Sequence, residues 1–162
     1  MRILGVDPGS RVTGYGIVDC SGTDLGFVSC GTIRTTHEED FSRRLWIIFS
    51  SLAKVIETHA PEVAAIEEVF VDRNVRSALK LGHARGAAIV AAMENDIQVH
   101  HYTARTVKQT VTGYGQADKK QVQHMVTTLL ELNTFPSQDA ADALAIAICH
   151  AQHCSFMKLC SL

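Results

Sequence analysis

Several features are missing from this chain of 162 residues, and each absence removes a class of protein. No apolar run reaches the roughly 18 residues a membrane-spanning helix requires. Met1-Arg2 leads straight into a strand-like run, without the charged-then-apolar opening of a secretion signal. Cysteine occurs five times, at Cys20, Cys30, Cys149, Cys154 and Cys160, but never as a tight Cys-x-x-Cys pair. An odd count without a secretion signal implies reduced thiols in a cytoplasmic compartment. The run Cys149-His150-Ala151-Gln152-His153-Cys154 lacks the ligand spacing of zinc modules, and Cys149 and His153 are simply one helical turn apart. Internal repeats, low-complexity segments and interdomain linkers are absent. A basic excess is absent too: 15 Lys and Arg stand against 17 Asp and Glu, for a net charge of −2. That balance counts against a nucleic-acid binder.

What is present is an ordinary globular composition, 46% hydrophobic and 20% charged, in a chain the size of one domain. Such a chain buries about two-thirds of its unfolded surface and needs neither metal nor disulfide to fold. Its charge is unevenly spread. Residues 1–68 carry six basic against ten acidic side chains, residues 69–124 eight against four, and residues 125–162 one against three. A basic middle third therefore lies between two acidic flanks.

Residues 2–7 form a short apolar run closed by Pro8-Gly9, which reads as a buried strand. Strands over 13–19, with glycines at 14 and 16, and over 25–34 complete an antiparallel meander. The period then changes. Phe41, Leu45, Ile48, Leu52, Val55 and Ile56 recur at three or four and mark an amphipathic helix ending before Pro61. Residues 63–66 are continuously apolar, as in a strand covered on both faces. A helix over 74–93, a strand over 97–102, and helices over 103–111, 119–132 and 138–153 follow. This order predicts an α/β fold: a mixed five-stranded sheet, antiparallel over strands 1–3 and then alternating with helices that flank it. One domain over 1–153 and a short tail over 154–162 are expected.

The acidic residues fall where ligand sites form. Asp7 ends the first strand, and Glu67 and Glu68 end the fourth. Asp7 also suits a plain Asp-Pro-Gly turn. Glu67 and Glu68 alternate in direction, so one faces a site and the other does not; periodicity alone does not choose. Asp139 and Asp142 share a face at the start of a helix whose continuation, Ala143-Leu144-Ala145-Ile146-Ala147-Ile148, is almost wholly apolar. Acidic residues at a helix start are routine, but these two project from a deeply packed helix. If Asp7, Glu67, Asp139 and Asp142 converge, their like charges raise one another's pKa unless cations neutralise them. Hard oxygen donors without His or Cys between them select Mg²⁺, with Mn²⁺ as substitute. Two such ions are a known apparatus for phosphodiester hydrolysis.

Five co-linear segments carry a resemblance. They are Ile3-Leu4-Gly5-Val6-Asp7-Pro8-Gly9-Ser10-Arg11-Val12-Thr13-Gly14-Tyr15-Gly16, Ala65-Ile66-Glu67-Glu68-Val69-Phe70, Ser77-Ala78-Leu79-Lys80-Leu81-Gly82-His83-Ala84-Arg85-Gly86, Val107-Lys108-Gln109-Thr110-Val111 and Asp139-Ala140-Ala141-Asp142-Ala143-Leu144-Ala145. Together, over about residues 1–150, they resemble the RuvC family of bacterial Holliday-junction resolvases. The resemblance implies an RNase H-like fold, a homodimer, and Mg²⁺-dependent paired, symmetric nicking of four-way DNA junctions. It also implies work beside the branch-migration proteins RuvA and RuvB in recombinational repair. It places the catalytic, metal-binding acids on Asp7, Glu67, Asp139 and Asp142, and so chooses Glu67 over Glu68, which stands where relatives often carry an uncharged polar residue. It places catalytic cations on Lys108 and Lys119, where positive charge beside a scissile phosphate offsets charge and holds the backbone. Phe70 resembles an aromatic that stacks on an unpaired base, although a core phenylalanine is the common alternative. Arg73, Arg76 and Lys120 join Lys108 and Lys119 as expected DNA contacts, a solvated surface lysine being the ordinary reading of Lys120. Tyr114, in a glycine-flanked loop, is a further candidate.

The helix over 74–93, with Gly82-x-x-x-Gly86, is the expected dimer interface; the alternative is that its glycines pack on the chain's own sheet. Two other functions compete. Actin- or sugar-kinase-like phosphotransferases share the strand topology and an Asp-x-Gly-Ser loop, but need two such domains. The other is a junction-binding module without nuclease chemistry, against which the full set of four carboxylates argues.

Overall fold

The computed structural model describes residues 1–69 and 74–160, the side chains of residues 156–160 excepted. Ten elements run in the order β1 (Arg2–Asp7), β2 (Val12–Ser21), β3 (Asp24–Arg34), α1 (Phe41–His59), β4 (Val63–Glu67), α2 (Val75–Met93), β5 (Gln98–Tyr102), α3 (Ala104–Thr112), α4 (Lys119–Leu129) and α5 (Gln138–Cys160). The sheet order is β3-β2-β1-β4-β5. β1 pairs antiparallel with β2, and β2 with β3; β1 and β4, and β4 and β5, are parallel. The expected mixed sheet is therefore the one observed.

The alternation of side chains divides the core into two layers. Ile3, Val18, Val63 and Ala65 pack on one face with Val107 of α3, Val122 and Val126 of α4, and Leu144 and Ile148 of α5. Leu4, Val6, Ile17, Ala64 and Ile66 pack on the other with Ile48 and Leu52 of α1 and Ala84, Ala88 and Ala91 of α2. Every residue from Val63 to Ile66 is buried, because β4 is covered on both faces.

Local chemistry sets the helix ends. The Asp40 side chain accepts from the Ser42 amide at the start of α1. Asp118 and Gln121 form a reciprocal capping box at the start of α4. α3 stops at Gly113, whose φ of 78° admits the left-handed conformation that glycine favours. Two ends differ from expectation. α4 closes at Leu129 instead of continuing to 132, because Glu131 takes a left-handed φ of 50°. α5 continues past 153 to Cys160, so the expected tail begins as helix.

Candidate active site

β1 and β4 are parallel neighbours with Val6 opposite Ile66, so the strand ends deliver Asp7 and Glu67 side by side. Three glycines then decide where α5 lies. A Cβ on Gly5 would sit 2.1 Å from the Ala143 carbonyl oxygen, and one on Gly14 would sit 2.0 Å from that of Asp139. A Cβ on Gly16 would fall 2.7 Å from the Leu144 side chain. Gly5 pairs with Gly16 and Asp7 with Gly14 across the β1–β2 ladder. The bare strip they make lets α5 rest backbone to backbone on the sheet, which brings its first turns to Asp7.

Asp7, Glu67 and Asp142 line one cavity of about 270 Å³ together with Lys108 and Lys119. Ala104, Val107, Val122, Ala145 and Ile146 supply its apolar wall. Asp139 lies at the margin: its carboxylate is not in the cavity lining but acts electrostatically on Asp142 and Lys119. Lys119 Nζ donates to Asp142 at 3.2 Å. Lys120 and Arg76 are exposed and take no part in the lining. Tyr114 is 57% exposed, and its hydroxyl donates to Gln116. Phe70 and Arg73 lie outside the described residues.

The acids are short of positive charge. Burial pushes the Asp7 carboxyl up to about 8, and repulsion from Glu67 and Asp142 and a hydrogen bond with Glu67 add to the rise. Burial also raises Glu67, with Asp142 adding and the Asp7 hydrogen bond, Lys119 and Lys108 opposing. Burial raises Asp142 despite Lys119. Burial opposes the charged form of Lys119, but Asp142, Asp7 and Asp139 outweigh it and hold the ammonium above its usual value. Burial and like charge thus favour the protonated form of Asp7, beside Glu67, while Lys119 neutralises part of Asp142.

The donor set suits a hard divalent cation: all oxygen, with three carboxylates on one cavity. Among the described residues, however, no three His, Cys, Asp or Glu side chains are grouped closely enough to hold an ion as they stand. Burial and like charge hold Asp7 toward its protonated form beside Glu67, and Lys119 donates to Asp142.

Two other places offer less. A cavity of about 930 Å³ between the β2–β3 turn and the α4–α5 connection is lined by Leu25, Phe27, Leu129 and Leu132, with Asp24 and Glu131 and no lysine or arginine. Its charged side chains are therefore both acidic, which disfavours a phosphate there. Near the end of α5, Tyr102 meets His150 Nδ1 at 2.8 Å, and Cys154 Sγ lies 3.3 Å from His150 Nε2. His153 Nδ1 sits 3.1 Å from the Cys149 carbonyl. The first of these contacts ties α5 to β5, and the other two lie within α5.

Sequence reasoning did not single out the packing role of Gly5, Gly14 and Gly16, nor Arg85, whose guanidinium reaches the end of β4. The glycines' clustering on paired strands was the available signal. Arg85 gave none, since its partners are a main-chain oxygen and a histidine ring far off in sequence.

A five-stranded mixed sheet with acids at the ends of β1 and β4 and on the first turns of the last helix, beside two lysines, is the design of the RNase H-like nucleases. A family model described as crossover junction endodeoxyribonuclease RuvC matches residues 3–150. The crossover junction endodeoxyribonuclease RuvC of Teredinibacter turnerae is 56% identical over 153 residues, 92% of this chain and 86% of that protein. That of Acinetobacter baylyi is 54% identical over 149 residues, 92% of this chain and 82% of that protein. T. thermophilus RuvC, solved in complex with Holliday junction substrate, superposes with a TM-score of 0.89 at 34% identity, covering 97% of this chain and 96% of that one. The yeast mitochondrial Holliday junction resolvase Ydc2 shares the fold, with a TM-score of 0.63 at 12% identity over 99% of this chain and 86% of that one. This chain belongs to the RuvC family of crossover junction endodeoxyribonucleases.

Proposed function

We propose that this chain resolves four-way DNA junctions by Mg²⁺-dependent hydrolysis, one cut per subunit of a homodimer. The observation that carries the reading is the convergence of Asp7, Glu67 and Asp142 with Lys108 and Lys119 on one cavity. Asp7, Glu67 and Asp142, with Asp139 at the margin, would hold the metal, Mg²⁺ or in its place Mn²⁺. When bound, two such ions would supply the charge that activates a water and offsets the leaving oxygen.

The chain's own residues do the rest. Asp7, raised by burial and by the neighbouring carboxylates, would have to be ionised to serve as a ligand beside Glu67. Lys119 exchanges Asp142 for a phosphate oxygen. Lys108 and Lys119 hold the scissile phosphate from the α3 and α4 side and oppose the charge that develops on it. The apolar wall from Val107, Val122 and Ile146 keeps the local dielectric low, which strengthens each of these interactions. Arg73, Arg76, Lys120 and Phe70 carry the DNA arms toward the site.

A twofold dimer would present the same site to both equivalent strands. The outer face of α2 supports it. Val75, Leu79, Val90 and Met93 are 56% to 61% exposed. A Cβ at Gly82 or Gly86 would meet nothing within 4 Å, so these glycines do not pack on the chain's own sheet. The positions 75, 79, 82, 86, 90 and 93 follow the helical stripe that a second helix fits. RuvA and RuvB are the expected partners in the cytoplasm. Among the described residues no helix is long and apolar enough to cross a membrane.

Cleavage of a labelled synthetic four-way junction tests the reading. The wild-type protein is expected to cut in Mg²⁺ or Mn²⁺ and not in a chelator. Asp7→Asn, Glu67→Gln and Asp139→Asn are expected to bind the junction without cutting. If the wild type binds but does not cut, the chain is a junction-binding module. If all three variants lose binding, the acids are structural.

A further inference from the structure

Arg85 lies on the flank of α2, between its buried face and its exposed stripe. Its Nε donates to the main-chain carbonyl of Glu67 at 3.1 Å, and its Nη2 stands 2.9 Å from Nδ1 of His101 on β5. Glu67 is the last residue of β4, opposite Tyr102, the last residue of β5. The next amide, that of Glu68, donates to the Tyr102 carbonyl at 2.8 Å, and described strand pairing ends there. Arg85 thus grips the last residue of β4 and the next-to-last residue of its parallel neighbour β5 at once. A guanidinium can do this because its planar fork donates in two directions; an ammonium cannot span the pair in the same way.

The approach is from behind. Ala64 and Ile66 face the α1–α2 layer, while Val63, Ala65 and by alternation Glu67 face the α3–α5 layer. The Glu67 carboxylate opens on the cavity, and Arg85 is not among the residues that line it. Arg85 therefore acts on that carboxylate only through the main chain. Strand ends without further pairing fray, and a carboxylate at such an end needs its backbone fixed to hold its geometry.

We propose that Arg85 is a positioning residue for Glu67: from the α2 layer it fixes the end of β4 so that the carboxylate is held toward Asp7 and the cavity. The inference rests on the nuclease reading above and adds a residue that lies outside the cavity lining.

Arg85→Met keeps the length of the side chain and removes both donors. Single-turnover cutting of a four-way junction by saturating protein is expected to fall by about tenfold to a hundredfold, the cost of a small misplacement at a reacting centre. Junction affinity is expected to stay unchanged. In metal-free protein, amide exchange at Glu68 is expected to quicken by about tenfold or more, while α2 and the start of β4 keep their protection. Arg85→Lys, which retains one donor, is expected to recover part of both effects. Wild-type cutting by Arg85→Met, or unchanged exchange at Glu68, overturns the proposal. Loss of cutting together with junction binding and general protection also overturns it, because Arg85 would then be a residue of the fold. If the wild-type protein itself does not cut, the nuclease reading fails, and the exchange arm still decides whether Arg85 fixes the strand end.

Discussion

Replacing Gly14 by alanine tests the geometry that assembles the site. The added methyl carbon would lie 2.0 Å from the Asp139 carbonyl oxygen and 2.6 Å from its carbon. Real Cβ atoms essentially never come within 3.0 Å of such an atom, so the contact must open by at least the difference between 3.0 and 2.0 Å. Both partners are main chain, and no rotamer relieves the clash. β2 is held between β1 and β3, so α5 has to move. Its buried residues from Ala143 to Cys149 leave it little slack. Overpacking of this kind costs about 1–3 kcal/mol, and backbone contact places Gly14→Ala at the upper end. At about 2–4 °C per kcal/mol for a chain of this size, the melting temperature falls by roughly 6–12 °C. The turn that shifts carries Asp139 and, three residues on, Asp142. A displacement of about 1 Å at a reacting centre costs on the order of a hundredfold in rate. Thermal melting followed by circular dichroism, and single-turnover cutting at saturating protein, measure the two effects. Gly26→Ala is the control, since its Cβ would approach nothing closer than 3.8 Å. An unchanged melting temperature and an unchanged cutting rate for Gly14→Ala would refute the argument that bare strands set the position of α5.

The remaining predictions concern charge and assembly. Because folding raises Asp7 from 3.8 to about 8, the folded state keeps a proton that the unfolded state releases. That stability is fully present below about pH 4 and is lost as pH rises toward 8. The melting temperature of metal-free wild type minus that of Asp7→Asn is therefore expected to fall over this range, and Mg²⁺ or Mn²⁺ to raise the wild-type value most at its alkaline end; a difference that is flat in pH would count against a raised Asp7. Lys119→Ala, which removes the ammonium 3.2 Å from Asp142, is expected to slow single-turnover cutting by about a hundredfold with little loss of junction binding. An unchanged rate would remove Lys119 from the chemistry. Leu79→Asp places a charge on a residue that is 60% exposed in the single chain. It is expected to leave the chain's secondary structure intact and, by sedimentation, convert dimer to monomer; a persisting dimer would move the interface away from α2.

Much of the architecture was legible because it depends on periodicity. The unalternating run Val63–Ile66 reads as a doubly covered strand, and it is buried throughout. The spacing of Ile48, Leu52 and Ile56 defines the buried stripe of α1. Helix ends were harder. α4 stops early because Glu131 adopts a left-handed turn, a backbone choice that a polar side chain does not announce. α5 runs on to Cys160 because nothing at 154 breaks a helix.

The candidate site divides in the same way. Its residue types were set by sequence: acids at strand ends and on one face of a packed helix, a basic middle third, and a family pattern that prefers Glu67 to Glu68. The net charge of −2, which first counted against nucleic acid, lost its force once Asp7, Glu67 and Asp142 were found on one cavity with Lys108 and Lys119. Sequence could not say that Asp142 lines this cavity while Asp139 stands at its margin, that Lys119 holds Asp142, or that burial beside Glu67 raises Asp7. Those facts depend on distances between residues far apart in the chain, and only packing fixes such distances. Here Gly5, Gly14 and Gly16, bare of side chains, let α5 settle on the sheet, and the sum of burial and like charge then decided which acid keeps a proton.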